Sequence, residues 1–185
     1  MDERSRKKDE SYVRKIALYG MLIALAMILS FVETLIPISL GIPGIKIGLA
    51  NLVTIVCLYS MGTGGACAVT LVRIILTGFS FGNPFSMIYS LCGAAFSLSS
   101  MVAAKKTHLL STAGVSILGG VMHNVGQITA AALIVRTPGI FWYLPVLMAA
   151  GIASGGLIGV LSGMIINRLK PLIREISGQN GKSSG

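Results

Sequence analysis

Acidic residues are scarce in this chain: six Asp and Glu stand against fifteen Lys and Arg, and charged residues of every kind make up 11% of 185 positions. A soluble domain carries roughly 25%, so an ordinary water-facing surface is excluded. No G-x-x-x-x-G-K-[ST] phosphate loop is present, which removes nucleotide hydrolysis by that route. The three cysteines, Cys57, Cys67 and Cys92, sit inside apolar runs without C-x-x-C spacing. That argues against a disulfide framework or a zinc site and makes them small packing residues. No metal site and no cofactor is expected. No inverted repeat of the kind found in carriers is visible.

What is present is apolar: 54% hydrophobic residues and a mean hydropathy of +0.82. An integral membrane protein follows, too short for two membrane domains. The formal net charge of +9 raises nucleic acid as a partner, yet the basic residues gather at the ends of apolar runs, and lipid orientation explains them better. The expected partner is the bilayer, with no nucleic acid.

A spanning helix needs about 20 mainly apolar residues, and six segments qualify: Ile16–Ile36, Ile45–Met61, Ala66–Phe81, Phe85–Ala104, Ser111–Val135 and Phe141–Asn167. They are separated by "PISLGIPG", "GTGG", "GNP" and other turn-forming stretches that cannot continue a helix. Lys and Arg concentrate on the cytoplasmic side of membrane proteins. Here they lie before the first helix (Arg4 to Lys15), between the fourth and fifth (Lys105, Lys106) and after the sixth (Arg168 to Lys182). The fold expected is an all-α bundle of six transmembrane helices, N-in and C-in. Residues 1–15 form a basic tail, 16–169 the membrane domain and 170–185 a second polar tail. An "ALA" at Ala24 to Ala26 resembles a signal-cleavage site but lies within the run, so the first helix reads as uncleaved.

Helices in lipid associate through small residues that let backbones approach. Gly151, Gly155, Gly159 and Gly163 recur every four residues along the sixth helix. This stripe packs on a neighbouring helix of the same chain or on a partner. Gly20 and Ala24 make a smaller patch on the first helix, a candidate docking face.

Polar side chains inside spans are costly and mark functional pathways. By this topology Glu33, Lys46, Asn51, Arg73, His123, Asn124 and Gln127 fall between the midplane and the outside, with Asn83 and Arg136 at the outer boundary. His123 and Gln127, at i and i+4, share one helix face, and Gly119 and Gly120 allow a ligand or a backbone to come close. These groups fit an outward-opening pocket, apolar in its walls, with a few polar groups to orient a ligand. Lys46, Arg73 and Arg136 against Glu33 make that half net positive, so an anionic or zwitterionic small molecule is expected. Structural alternatives stay open: Arg73 paired with Glu33, and His123 with Asn124 satisfying groups between helices. A proton-coupled carrier that titrates Glu33 and His123 is a further reading. Phe79, Phe81, Phe85, Trp142 and Tyr143 near the mouth are either stacking surfaces or an interfacial belt.

The stretches "GIPGIKIGLANLVTIVCLYSMG", "LVRIILTGFSFGNPFSMIYSLCGAAFSL" and "GVSILGGVMHNVGQITAAALI" resemble the bacterial Gx transporter family, also labelled heptaprenyl diphosphate synthase component I. The likeness runs from about Ile16 to Leu169, with Pro43, Gly44, Lys46, Gly48 and Asn51 matching in the first stretch, Arg73 in the second, and His123, Asn124, Gly126 and Gln127 in the third. Relatives resemble substrate-binding S components of energy-coupling factor (ECF) transporters. The resemblance implies a six-helix protein of the bacterial cytoplasmic membrane that binds a small molecule from outside. It would dock, through Gly20 and Ala24, on a transmembrane coupling subunit with two ATPases. The synthase label implies instead a membrane partner of a polyprenyl diphosphate synthase. Catalysis of that condensation uses aspartate clusters holding magnesium, and this chain has no D-D-x-x-D pattern and one acid within its spans, Glu33. It is therefore not expected to be that enzyme by itself.

Overall fold

Helices account for nearly all of the described residues, because the long apolar runs carry proline only near their ends. The computed structural model describes residues 3–35 and 48–176. Among these residues the α-helices are, in order, α1 (Glu3–Leu35), α2 (Leu49–Ser60), α3 (Gly62–Phe81), α4 (Pro84–Thr107), α5 (Thr112–Val135) and α6 (Leu144–Ile176), with a 3-10 turn at Pro138–Tyr143 ahead of α6. No strand occurs among the described residues. Five stretches are long and apolar enough to cross a membrane, in α1, α3, α4, α5 and the run Pro138–Leu169, while α2 is a shorter apolar helix.

The helix ends follow local chemistry. Asn83 caps α4, its side-chain oxygen accepting from the Ser86 amide at 2.7 Å, with Pro84 in the first turn where no amide is needed. Ser111 caps α5 in the same way through the Gly114 amide at 3.2 Å. α2 and α3 form a hairpin with only Met61 between them, and Gly62, the first residue of α3, takes a left-handed φ of 83° that other residues resist.

Several boundaries differ from expectation. α1 begins at Glu3 rather than Ile16, since the basic run contains neither Gly nor Pro and is rich in Lys, Arg and Glu, which favour helix. α6 runs on past Pro171 to Ile176. α3 takes in the "GTGG" run as its first turn, where orphan amides tolerate weak helix formers. α2 begins four residues later than the apolar pattern indicates, after Gly48 at a φ of 76°. Lys46 and the outer loop from Pro37 to Gly44 lie outside the described residues.

α2 is the buried element of the bundle, packed on α1, α3 and α6, with Ile55, Cys57 and Leu58 at most 1% exposed. Its hydroxyl Thr54 meets Thr70 of α3 at 3.0 Å. α5 packs most extensively, between α4 and α6, and glycines set both contacts. A Cβ on Gly126 would stand 2.7 Å from the Cys92 carbonyl oxygen of α4, and one on Gly120 2.7 Å from the Gly151 carbonyl oxygen of α6. The α6 stripe is directed at α5 through Gly151, Gly155 and Gly159, whose Cβ positions fall 2.6 to 3.1 Å from atoms of Gly120, Ile117 and Ala113. Gly163 departs from it, with nothing within 4 Å. The outward surfaces of α1, α3 and α6 carry exposed Ile28, Leu71, Ile75, Ile152 and Val160, as a lipid-facing bundle requires.

Candidate functional site

The two glycine contacts of α5 explain why its polar residues share one sector. At 3.6 residues per turn, Gly119 and Gly126 lie on the side facing α4, and Gly120 and Asn124 on the side facing α6. His123 and Gln127 fall between them. They point into the wedge where α4 and α6 part. Gly93 of α4 completes the space: a Cβ there would stand 2.8 Å from His123 Cε1 and 2.9 Å from Gln127 Cγ.

That wedge opens into a cavity of about 160 Å³ with walls from all six helices. α1 contributes Ser30 and Glu33, α2 Asn51, α3 Arg73 and Thr77, α4 Ser86 and Ser90, α5 His123, Asn124 and Gln127, and α6 Ser154. Of the polar residues singled out from sequence, the structure brings together Glu33, Asn51, Arg73, His123, Asn124 and Gln127. Asn83 is not in this wall; its side chain caps α4. Lys46 lies outside the described residues. Sequence reasoning passed over Ser30, Thr77, Ser86, Ser90 and Ser154, which also line the cavity together with Gly48, a position noted in the first family-like stretch.

Charge is concentrated on the side of α1, α2 and α3. The Arg73 guanidinium donates through one terminal nitrogen to Ser30 Oγ at 3.3 Å, and Glu33 is near enough for its charge to act on it. The Arg73 Nε is buried and has no hydrogen-bond partner among the described residues. Glu33 Oε1 accepts from the Gly48 amide at 2.5 Å. α2 starts there, part-way down the bundle. The Thr54–Thr70 contact sets the register of the hairpin, so Gly48 is level with about residue 76 of α3, on the order of 8 Å short of the end of that helix at 1.5 Å per residue. The positive end of the α2 dipole is thereby presented to the cavity. Arg136, counted toward the positive charge in the sequence reading, is instead an exposed residue capping the end of α5 and takes no part in the wall. Among the described lining residues the formal charges are Arg73 against Glu33.

Asn124 has a structural share as well. Its Nδ2 donates to the Leu147 carbonyl at 2.7 Å, tying α5 to the first turn of α6.

A second, larger cavity of about 600 Å³ adjoins the first. It lies between α4, α5, the 3-10 turn and the start of α6, and its walls are mainly Phe85, Tyr89, Ile128, Ala131, Ile140 and Leu147. Ser86, Ser90 and Gln127 belong to both linings.

The sequence model of a family described as heptaprenyl diphosphate synthase component I matches residues 22–165. The chain belongs to that family. No curated protein matches the chain, and no solved structure does. The heptaprenyl diphosphate synthase component I match spans every residue of both cavities, from Ser30 to Ser154. Among the described residues no group of three His, Cys, Asp or Glu is placed to hold a metal ion. Among the described residues the site offers hydrogen-bonding groups, Arg73, Glu33 and apolar surface, means suited to holding and orienting a molecule.

Proposed function

We propose that this chain is the substrate-binding subunit of a membrane transporter, taking a small anionic or zwitterionic molecule from outside. The observation that carries the reading is Arg73. A buried donor left unpaired costs about 1–3 kcal/mol, more when charged, and an acceptor oxygen on a ligand would recover it. The start of α2 beside it, with its amide ends toward the cavity, favours the same sign of charge, as broken helices do in other transporters.

In this reading the bundle crosses the membrane six times with both ends in the cytoplasm. The Gly48–Glu33 contact sets the start of α2 against the end of α1, so α2 runs back toward the side from which α1 came. Lys105, at the end of α4, donates to the Leu58 carbonyl near the end of α2, which joins those ends on one side. Arg14, Lys15, Lys106 and Arg168 then gather there, the side expected for the cytoplasm. Energy comes from partners, ECF-type ATPases with their transmembrane coupling subunit. Gly20 and Ala24, exposed on the face of α1, offer that subunit a smooth surface.

A second reading is favoured by the family description alone: a non-catalytic membrane partner of a polyprenyl diphosphate synthase. Affinity purification from native membranes in mild detergent, with mass spectrometry of retained proteins and small molecules, separates the two. The transporter reading expects ATPases with a coupling subunit, and a charged metabolite that is lost in Arg73→Met while the melting temperature holds. Gln127→Ala is the companion variant, because Asn124→Ala also removes a bond between helices. A synthase recovered without ATPases would favour the second reading, and a metabolite retained equally by Arg73→Met would overturn the placement of the site.

A further inference from the structure

We infer that the molecule taken by this site is an amphiphile: an anionic head group, phosphate or carboxylate, on a single apolar chain or ring body. The inference rests on the binding reading above and extends it to the class of ligand.

A cavity of about 160 Å³ is close to the size that admits one benzene, so the polar chamber alone holds a group of about six heavy atoms. Small-molecule sites more often measure about 300–1,000 Å³. Any larger ligand must extend beyond the polar chamber, and the adjoining space of about 600 Å³ provides for it. The two chambers share Ser86, Ser90 and Gln127 in their linings, and in this inference the ligand passes from one to the other beside that short polar collar. Beyond the collar the lining changes character. Phe85, Ile128, Ala131, Ile140 and Leu147 offer no side-chain hydrogen bonds, and the remaining polar groups are Asn83, already capping α4, and the hydroxyls of Tyr89 and Tyr143.

Polarity is thus divided between two adjoining spaces. Arg73 and the start of α2 stand at one end with an unused donor, and a hydrocarbon-like chamber stands at the other. A wholly hydrophilic ligand would leave the larger chamber without a complement. An uncharged hydrocarbon would leave the Arg73 Nε without an acceptor, at the cost already given. A molecule polar at one end and apolar at the other satisfies both.

The test uses the full chain in phosphatidylcholine nanodiscs and two series of probes, n-alkyl phosphates and n-alkyl carboxylates from one to six carbons, titrated calorimetrically with empty nanodiscs as the blank. Burial of a methylene is worth about 0.8 kcal/mol, so affinity is expected to rise up to about fourfold per added carbon in at least one series. Ala131→Phe, which fills the apolar chamber without touching the polar one, should flatten that rise while leaving the one-carbon member's affinity unchanged. Arg73→Met should weaken all members alike.

Affinity independent of chain length in the unaltered protein would overturn the amphiphile and leave the binding reading intact. No binding of either series, with a hydrophilic metabolite retained on purification, would do the same. Chain-dependent binding that ignores Arg73→Met would overturn the head-group placement and the binding reading with it. Repeating the titration with phosphatidylglycerol in the nanodisc tests the single chain: competition would mark a two-chain bilayer lipid and overturn that part of the inference, and its absence supports a free amphiphile.

Discussion

Gly159 and Gly163 look alike in the sequence, four residues apart on one stripe of α6, yet they occupy different surroundings. A Cβ on Gly159 would fall 2.6 Å from Ala113 Cα of α5, whereas one on Gly163 meets nothing within 4 Å. Backbone cannot yield as a side-chain tip can, so overpacking at Gly159 is expected to cost about 1–3 kcal/mol. Gly163→Ala gains helix propensity instead, up to about 1 kcal/mol. Thermal melting in detergent should therefore move down for Gly159→Ala and hold or rise for Gly163→Ala; equal losses would mean that the stripe is covered along its whole length by something other than α5. Periodicity alone shows that a stripe exists but not where its partner helix leaves it. The polar wall was legible to a similar degree. Glu33, Arg73, His123, Asn124 and Gln127 are conspicuous in hydrocarbon, and their cost there is what makes them readable. Ser30, Ser90 and Ser154 are not, because hydroxyls in a helix can bond to their own backbone, as Ser99 does with the Ala95 carbonyl and Thr77 with that of Arg73. A serine in a span thus carries no sequence-level sign of whether it faces a cavity.

At the scale of the element, α2 is where pattern and structure part most clearly. The apolar run from Ile45 reads as a spanning helix, but the helix is the twelve residues Leu49–Ser60, placed between Glu33 at its start and Lys105 at its end. A negative group at the amide end and a positive group at the carbonyl end both suit the helix dipole. Lys105, legible in the sequence only as a marker of orientation, donates to the Leu58 carbonyl and stands 4.8 Å from the centre of the Tyr59 ring. Lys106, one position on, is exposed. Lys105→Met should then lower stability by about 1.5–3 kcal/mol, the worth of a hydrogen bond to a charged group. Lys106→Met should stay within about 0.5 kcal/mol. Chemical or thermal unfolding of the two variants in the same detergent checks the contrast; equal effects would reduce Lys105 to a surface charge. Such a contact joins residues 47 positions apart, a distance at which no local pattern operates.

For the whole molecule, the sequence conveys the all-helical class and the bilayer as solvent, because both follow from composition and run length. The arrangement of the helices around α2 does not, since it depends on which glycine meets which backbone. Orientation lies between these cases. Leu109 is 84% exposed in the short connection after α4, and Thr137 is exposed in the connection after α5. They bracket α5, whose 24 residues reach about 36 Å at 1.5 Å per residue, enough to cross a hydrocarbon core of about 30 Å. With Cys57, Cys67 and Cys92 replaced, Leu109→Cys should react with a membrane-impermeant maleimide only after the membrane is opened, and Thr137→Cys should react in intact cells. The reverse pattern would invert the bundle and turn the cavity toward the cytoplasm, where a binding subunit for uptake has no use for it. Reaction of both from one side would mean that α5 does not cross, and the wedge that gathers His123 and Gln127 would have to be read as a surface of the protein rather than a pocket within the membrane.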